Sequence, residues 1–165
     1  MKKTLLLLFP ILLFSCNKDT FNSESAVFTL SGFTDTGCKE GAKAKGTMYH
    51  DVRGEYVNYK VKKGDDGGMH IYFDHVNSMF NCGSDKIWVE TSKEGNTIRV
   101  HEIENSNAAN CYCDHDIHFE VGALEKDDYT IMIHKNLHEA YLSEPYAQFT
   151  VKVTNDSKGK YTISE

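Results

Sequence analysis

The sequence lacks the motifs of the common hydrolases and phosphate-binding enzymes. It contains no Gly-x-Ser-x-Gly elbow, no His-Glu-x-x-His and no glycine-rich phosphate loop after a predicted strand. It also has no internal repeat, no heptad pattern and no long amphipathic helical stretch. These absences favour an all-β protein that is not an enzyme.

Positive charge is also scarce. The chain has 18 basic and 24 acidic side chains, and a mature form without Lys2 and Lys3 would keep 16 basic ones, for a formal charge of −8. Proteins bind nucleic acid largely through basic side chains that displace counterions, so a nucleic-acid partner is not expected. The same balance argues against a basic patch that holds the protein on lipid.

Only one long apolar run is present, over residues 4–14, and it is too short to span a bilayer. Lys2 and Lys3 precede it and Ser15-Cys16 follows, which is the layout of a secretion signal. With cysteine directly after Ser15, the segment resembles a bacterial lipoprotein signal, which implies that Cys16 becomes the lipid-modified first residue. The alternative is an ordinary secretion signal in which Cys16 is incidental.

The chain after Cys16 begins with a polar stretch without periodicity, which fits a flexible tether. We therefore predict a signal peptide over residues 1–15, a lipidated cysteine and tether over 16–25, and a single domain over 26–165. Membrane attachment would come from acyl chains such as palmitate.

Short segments with period-two alternation divide the domain. Residues 56–62 and 69–76 predict one hairpin, and residues 86–92 and 97–104 predict a second. The other predicted strands are residues 26–33, 117–121 and 129–133, and a closing hairpin of 146–153 with 160–164. Helical spacing over residues 136–144 predicts one or two helical turns.

About nine short strands predict an antiparallel, immunoglobulin-like β-sandwich. Leu124 ahead of an acidic turn and Tyr129 resembles the tyrosine corner of such sandwiches. A small β-barrel is the alternative, because periodicity does not show whether a sheet closes.

Four cysteines remain besides Cys16, and an exported chain matures in an oxidising compartment, so two disulfides are expected. Cys111 and Cys113 point to the same face of a predicted strand, a geometry that seldom allows them to bond to each other. Each would then bond to Cys38 or Cys82. Of the three possible connectivities, we favour Cys82 with Cys111 and Cys38 with Cys113.

The alternative for the cysteines is a metal site. Cys111, Cys113, His115 and His118 lie within eight residues, and thiolate with imidazole suits zinc or copper. On a strand His118 faces away from the other three, so the four converge only if the segment bends. The favoured interpretation predicts no metal and no cofactor.

Most of the eight histidines fall next to acids, as in Asp74-His75 and Asp114-His115-Asp116, and alternation predicts that they form a solvated face. Aromatic residues at outward or loop positions would grip a glycan or a protein partner if they cluster. They are Tyr49, Tyr56, Tyr72, Trp88 and Tyr112.

A family resemblance rests on the Cys16 lipobox, Thr36-Gly37-Cys38-Lys39, Phe80-Asn81-Cys82, Asn110-Cys111-Tyr112-Cys113 and the segment from Asp116 to Tyr129. Together these resemble the small, functionally uncharacterised lipoproteins of Bacteroidetes-type bacteria. The resemblance implies a shared scaffold and carries no activity. Asn17 does not resemble an inner-membrane retention signal, so the outer membrane is expected. Lys18-Asp19 is only part of the charged run that resembles a surface-export signal. Both the periplasmic and the cell-surface side of the outer membrane are therefore open as the location.

The sequence therefore predicts a lipid-anchored, disulfide-bonded binding or accessory module at the outer membrane. Its expected contacts are the membrane, through the lipid anchor, and an unidentified protein or glycan. A copper- or zinc-binding envelope protein is the alternative.

Overall fold

The structure, a computed structural model, describes residues 27–39, 43–44, 54–105, 109–135 and 144–163. The predicted leader, Cys16, the tether and nearly all of the predicted helix lie outside these residues. The described strands are Thr29–Asp35 (β1), Lys43–Ala44 (β2), Tyr56–Lys63 (β3), Met69–Asn81 (β4), Ile87–Glu94 (β5), Thr97–Glu104 (β6), Cys111–Leu124 (β7), Asp128–Lys135 (β8), Ala147–Lys152 (β9) and Lys158–Thr162 (β10). None of the described residues belongs to a helix long and apolar enough to cross a bilayer.

The strands form two sheets that pack against each other. The first sheet has the order β1-β7-β4-β3-β10, with β2 paired to the start of β7, and the second has the order β5-β6-β8-β9. Strand pairs are antiparallel except for β6 and β8, which run parallel. Neither sheet closes on itself within the described residues, so the β-sandwich prediction is confirmed and the barrel alternative is wrong.

The core lies between the sheets and follows from the alternation of apolar residues along each strand. Phe73 of β4 stacks on Phe119 of β7, with ring centroids 5.1 Å apart. The inner face of the second sheet contributes Ile98, Val100, Ile131 and Ile133, all of them fully buried. Tyr129, the tyrosine of the predicted corner, is also buried, near the start of β8.

Strands β4 and β7 are longer than the alternation predicts. β4 continues past Val76 to Asn81, and β7 begins at Cys111 instead of Ile117. Their register shifts between His75 and Ser78, where Asn77 has a φ of 60°. A bulge of this kind interrupts the alternation and lets the strand continue, which hides the full length of the strand from a periodicity search.

The closing hairpin predicted from residues 146–153 and 160–164 is wrong. β9 pairs with β8 in the second sheet, whereas β10 pairs with β3 in the first. Phe149 of β9 and Tyr161 of β10 stack across the core with ring centroids 4.7 Å apart. The two strands therefore face each other from opposite sheets instead of lying side by side.

Replacing Phe73 with alanine should lower the free energy of unfolding by about 3–5 kcal/mol, because the ring is almost fully buried and loses its stacking on Phe119. Urea unfolding measures the change. The control is V27A, which shortens a side chain that is 77% exposed and should stay within about 0.5 kcal/mol. Equal effects of the two substitutions would contradict the packing described above.

Candidate functional site

Strands β1, β4 and β7 bring the four cysteines of the domain to one end of the first sheet. Cys38 bonds to Cys113 and Cys82 bonds to Cys111, with Cα separations of 5.4 and 5.6 Å. This is the connectivity that the sequence analysis favoured. The bridges fasten the chain after β1 and the chain after β4 to the first residues of β7.

A cleft of about 190 Å³ opens beside the two bridges. The sulfur atoms of Cys38, Cys82 and Cys113 line it and lie within 4.8 Å of one another. Asp35, Lys86 and His115 also reach the cleft. The two disulfides are therefore close neighbours at a site that carries an acid, a base and an imidazole.

His115 connects the cleft to a carboxylate. Its Nδ1 lies 2.8 Å from Asp35 Oδ1, so the ring donates a hydrogen bond to the acid, and its Nε2 lies 3.4 Å from Cys113 Sγ. The Phe80 ring packs edge-on against the imidazole, with centroids 5.4 Å apart. Asp35 thus holds the ring with Nε2 directed at the sulfur.

The metal site considered in the sequence analysis does not assemble. Cys111 and Cys113 are both in disulfides, and a metal ligand requires a free thiolate. His115 is buried beside Cys113, whereas His118 lies on the outer face of β7 with its Nδ1 2.6 Å from Asp74 Oδ1. The four residues therefore do not converge on one point.

A second polar cluster, the inter-sheet ion network, is buried between the sheets. His75 of β4 lies at its centre, with Nδ1 2.6 Å from Glu102 Oε1 and Nε2 2.8 Å from Glu55 Oε1. Lys135 Nζ donates to Glu55 at 2.7 Å, and the Tyr146 hydroxyl donates to the same carboxylate. The network links β4 of the first sheet to β6 and β8 of the second.

The predicted solvated histidine face is wrong for His75 and His115. Both are buried, since His75 shares the inward parity of Phe73 and His115 shares that of Ile117. His118 lies on the outer face as predicted. His50 and His138 lie outside the described residues.

Burial and ion pairing act in opposite directions on the inter-sheet ion network. Burial opposes ionisation of Glu55, but the charge of Lys135 and the hydrogen bond from His75 outweigh it and lower the Glu55 pKa from 4.5 to about 2. Burial also opposes protonation of His75, but the charge of Glu102 and the hydrogen bonds to Glu102 and Glu55 together outweigh it and raise the His75 pKa. The network therefore favours ionised Glu55 and protonated His75.

Because of these pKa shifts, folding stability falls in acid and also at high pH. The Glu55 contribution is fully present above pH 4.5 and is lost as the pH falls toward 2. The His75 contribution is fully present below its ordinary pKa of 6.5 and is lost as the pH rises through its raised folded value. The network stabilises the fold most between these limits.

We expect E55Q to lower the free energy of unfolding by about 3 kcal/mol in that window, since it leaves Lys135 and His75 without their shared carboxylate. The variant should also lose part of the wild-type decline in acid. Urea unfolding over a pH series measures both effects. E144Q, at an exposed glutamate, is the control, and an E55Q pH profile parallel to that of E144Q would contradict the role of the network.

The outer face of the first sheet carries a third feature at its β3–β10 edge. Four exposed lysines and two half-buried tyrosines point outward from β3, β4 and β10, and we call this set the lysine–tyrosine face. Its members are Tyr56, Lys60, Lys62, Tyr72, Lys158 and Lys160.

Two of these lysines are cross-strand neighbours, and the other two have their amines over the tyrosine rings. Lys60 lies directly opposite Lys158 in the β3–β10 register. Lys160 Nζ lies 3.6 Å from the centroid of the Tyr56 ring, and Lys62 Nζ lies 5.0 Å from that of Tyr72. The face thus combines aromatic surface with concentrated positive charge.

The five aromatics predicted as a platform do not form one patch. Tyr56 and Tyr72 share the lysine–tyrosine face, whereas Trp88 lies on the second sheet and donates from Nε1 to Glu90. Tyr112 lies on β7 beside the bridges, and Tyr49 lies outside the described residues.

Sequence reasoning missed Asp35, Glu55 and Lys135 as site residues. Asp35 lies just after the first predicted strand, over residues 26–33, and its partner His115 is 80 positions away. The sequence offers one sign that Lys135 is buried, namely that it falls on the same inward-facing side of the strand as Ile131 and Ile133. The lysine–tyrosine face depends on β10 pairing with β3, which the predicted closing hairpin excluded.

Comparison with models of known protein families, with curated proteins and with solved structures finds no match to this chain.

Proposed function

We propose that this protein is a lipid-anchored, non-catalytic binding module of the outer membrane that holds a negatively charged ligand on its lysine–tyrosine face. The anchor is Cys16, at the end of a segment that resembles a lipoprotein signal, and the tether of residues 17–25 joins it to the β-sandwich. The resemblance to small Bacteroidetes-type lipoproteins supports the same location.

The observation that carries the binding role is the direct pairing of Lys60 with Lys158. Like charges placed opposite each other on neighbouring strands destabilise a sheet, so the fold by itself does not favour this pair. A ligand with negative charge between the two amines would relieve the repulsion. The chain is acidic as a whole, which makes four lysines at one edge a local exception.

The tyrosines indicate the class of ligand. The rings of Tyr56 and Tyr72 are half-buried and rigidly placed by the sheet, and each has a lysine amine over it. Aromatic faces pack against the apolar faces of sugar rings, while ammonium groups pair with carboxylate or sulfate. An acidic glycan offers both features in one ligand.

Calorimetric titration with an acidic polysaccharide such as polygalacturonate tests this proposal. A neutral glucan is the comparison ligand. We expect binding of the acidic chain only, and at least a tenfold loss of affinity when Lys60, Lys62, Lys158 and Lys160 are all replaced by alanine, because the Coulombic part of the affinity is removed. Added salt should weaken wild-type binding.

The charge-matched control replaces four exposed lysines elsewhere, namely Lys86, Lys93, Lys126 and Lys152, with alanine. It changes the net charge by the same amount and should leave the affinity within about twofold, since a distant charge acts only through a screened field. Equal losses in the two quadruple variants would assign the effect to net charge and reject the face as the site.

A separate experiment tests the anchor. C16A expressed with its full leader should move from the membrane fraction to the soluble fraction, because the acyl chains supply the membrane affinity. Intact mass measures the modification directly, and C16S serves as a second variant without the lipid acceptor. Wild-type protein that lacks the acyl mass, or C16A that stays in the membrane fraction, would refute lipid anchoring and leave the glycan result unaffected.

A further inference from the structure

The two sulfurs of the Cys38–Cys113 bridge lie in different surroundings. Cys38 is exposed at the cleft, whereas Cys113 is only 4% exposed and faces the imidazole of His115. A thiolate that arrives from solvent therefore reaches Cys38 and not Cys113. The bridge has a defined direction of attack, with Cys113 as the sulfur that departs.

His115 is placed to receive the departing sulfur. Its Nε2 lies 3.4 Å from Cys113 Sγ, and its Nδ1 is held by Asp35 at 2.8 Å. An imidazole nitrogen beside a sulfur can pass a proton to it or take one from it, and the hydrogen bond to Asp35 keeps the ring in that orientation. A bridge that only fastens two strands needs neither group.

We propose that Cys38–Cys113 is a thiol–disulfide exchange site for a dithiol reductant. One thiolate of the dithiol attacks Cys38 Sγ, a new S–S bond forms there, and the Cys38–Cys113 bond breaks with its electron pair on Cys113 Sγ. His115 Nε2 gives a proton to that thiolate. The second thiol of the dithiol loses its proton to water and attacks the dithiol sulfur that is bonded to Cys38. Cys38 leaves as a thiolate and takes a proton from water, so the dithiol is oxidised to a disulfide and the protein gains two thiols.

The second bridge is within reach of the sulfur that is released. Cys113 Sγ and Cys82 Sγ lie within 4.8 Å of each other. His115 Nε2 takes the proton back from Cys113 Sγ, and the resulting thiolate attacks Cys82 Sγ. A Cys82–Cys113 bond forms, and the Cys82–Cys111 bond breaks with its electron pair on Cys111 Sγ, which takes up a proton from water. This step needs no further reductant, because one disulfide is made for each one broken. The cleft thus joins both bridges in one exchange system.

Reduction of the folded mature protein by limiting dithiothreitol, followed by alkylation and peptide mapping, tests the site. We expect Cys38 to be alkylated at least tenfold faster than Cys82 in the initial phase, because the relay exchanges Cys113 for Cys111 and keeps Cys82 bonded. H115Q and D35N should each slow opening of the Cys38–Cys113 bridge at least about fivefold. H118Q, which changes a histidine on the outer face of the same strand, is the control and should keep the wild-type rate.

The two bridges of one molecule serve as internal references for each other. Loss of structure in H115Q or D35N would open both bridges faster, whereas loss of His115 chemistry slows only Cys38–Cys113. Equal opening rates for the two wild-type bridges, or a wild-type rate in H115Q, would overturn the proposal.

The exchange step has its own readout in C38A, which leaves Cys113 as a free thiol beside Cys82. Peptide mapping at neutral pH should find a Cys82–Cys113 linkage together with the Cys82–Cys111 linkage. Wild-type protein opened by one equivalent of dithiothreitol and quenched in acid gives the same test without a substitution. A Cys82–Cys111 linkage as the sole product in both samples would overturn the relay to the second bridge.

Discussion

The antiparallel pairing of β4 with β7 positions both disulfides, the cleft beside them and His75 of the inter-sheet ion network. Both strands are long, and their shared register brings Phe80 opposite Cys113 and Phe73 opposite Phe119. The bulge between His75 and Ser78 bends β4 without ending it. One half of the pair therefore packs the core, while the half beyond the bulge carries the bridges and the cleft.

This arrangement explains how a charged cluster persists between two apolar faces. A buried charge is costly unless it is paired and hydrogen-bonded, and here two carboxylates meet a lysine and an imidazole. With His75 protonated the four charges balance. Because the partners come from both sheets, they are satisfied only when β4 lies over β6 and β8 in one register, so the network specifies how the two layers align.

The sequence predicted the structural features that depend on local alternation. It did not predict the features that depend on pairing between distant segments. The hairpin of β3 with β4 and that of β5 with β6 follow from period-two patterns around turn residues. The partner of β10 does not, because Lys158–Thr162 has the same pattern whether it pairs with β9 or with β3. His75 was readable from its parity with Phe73, and the acid beside it in sequence, Asp74, suggested the wrong face. Asp35 and His115 meet only through the register of β1 on β7.

The lysine–tyrosine face and the cleft lie at opposite edges of the first sheet. The face is at the β3–β10 edge and the cleft is at the β1–β7 edge. Lysines at a sheet edge have a general use, since charge there prevents edge-to-edge association. Preventing this association requires only charge, and lysines at any positions along β10 would supply it. It does not require tyrosine rings beneath the amines of Lys62 and Lys160, nor Lys60 directly opposite Lys158. Edge protection therefore does not account for the tyrosine rings or for the paired lysines. These are the two features that an acidic sugar chain would contact.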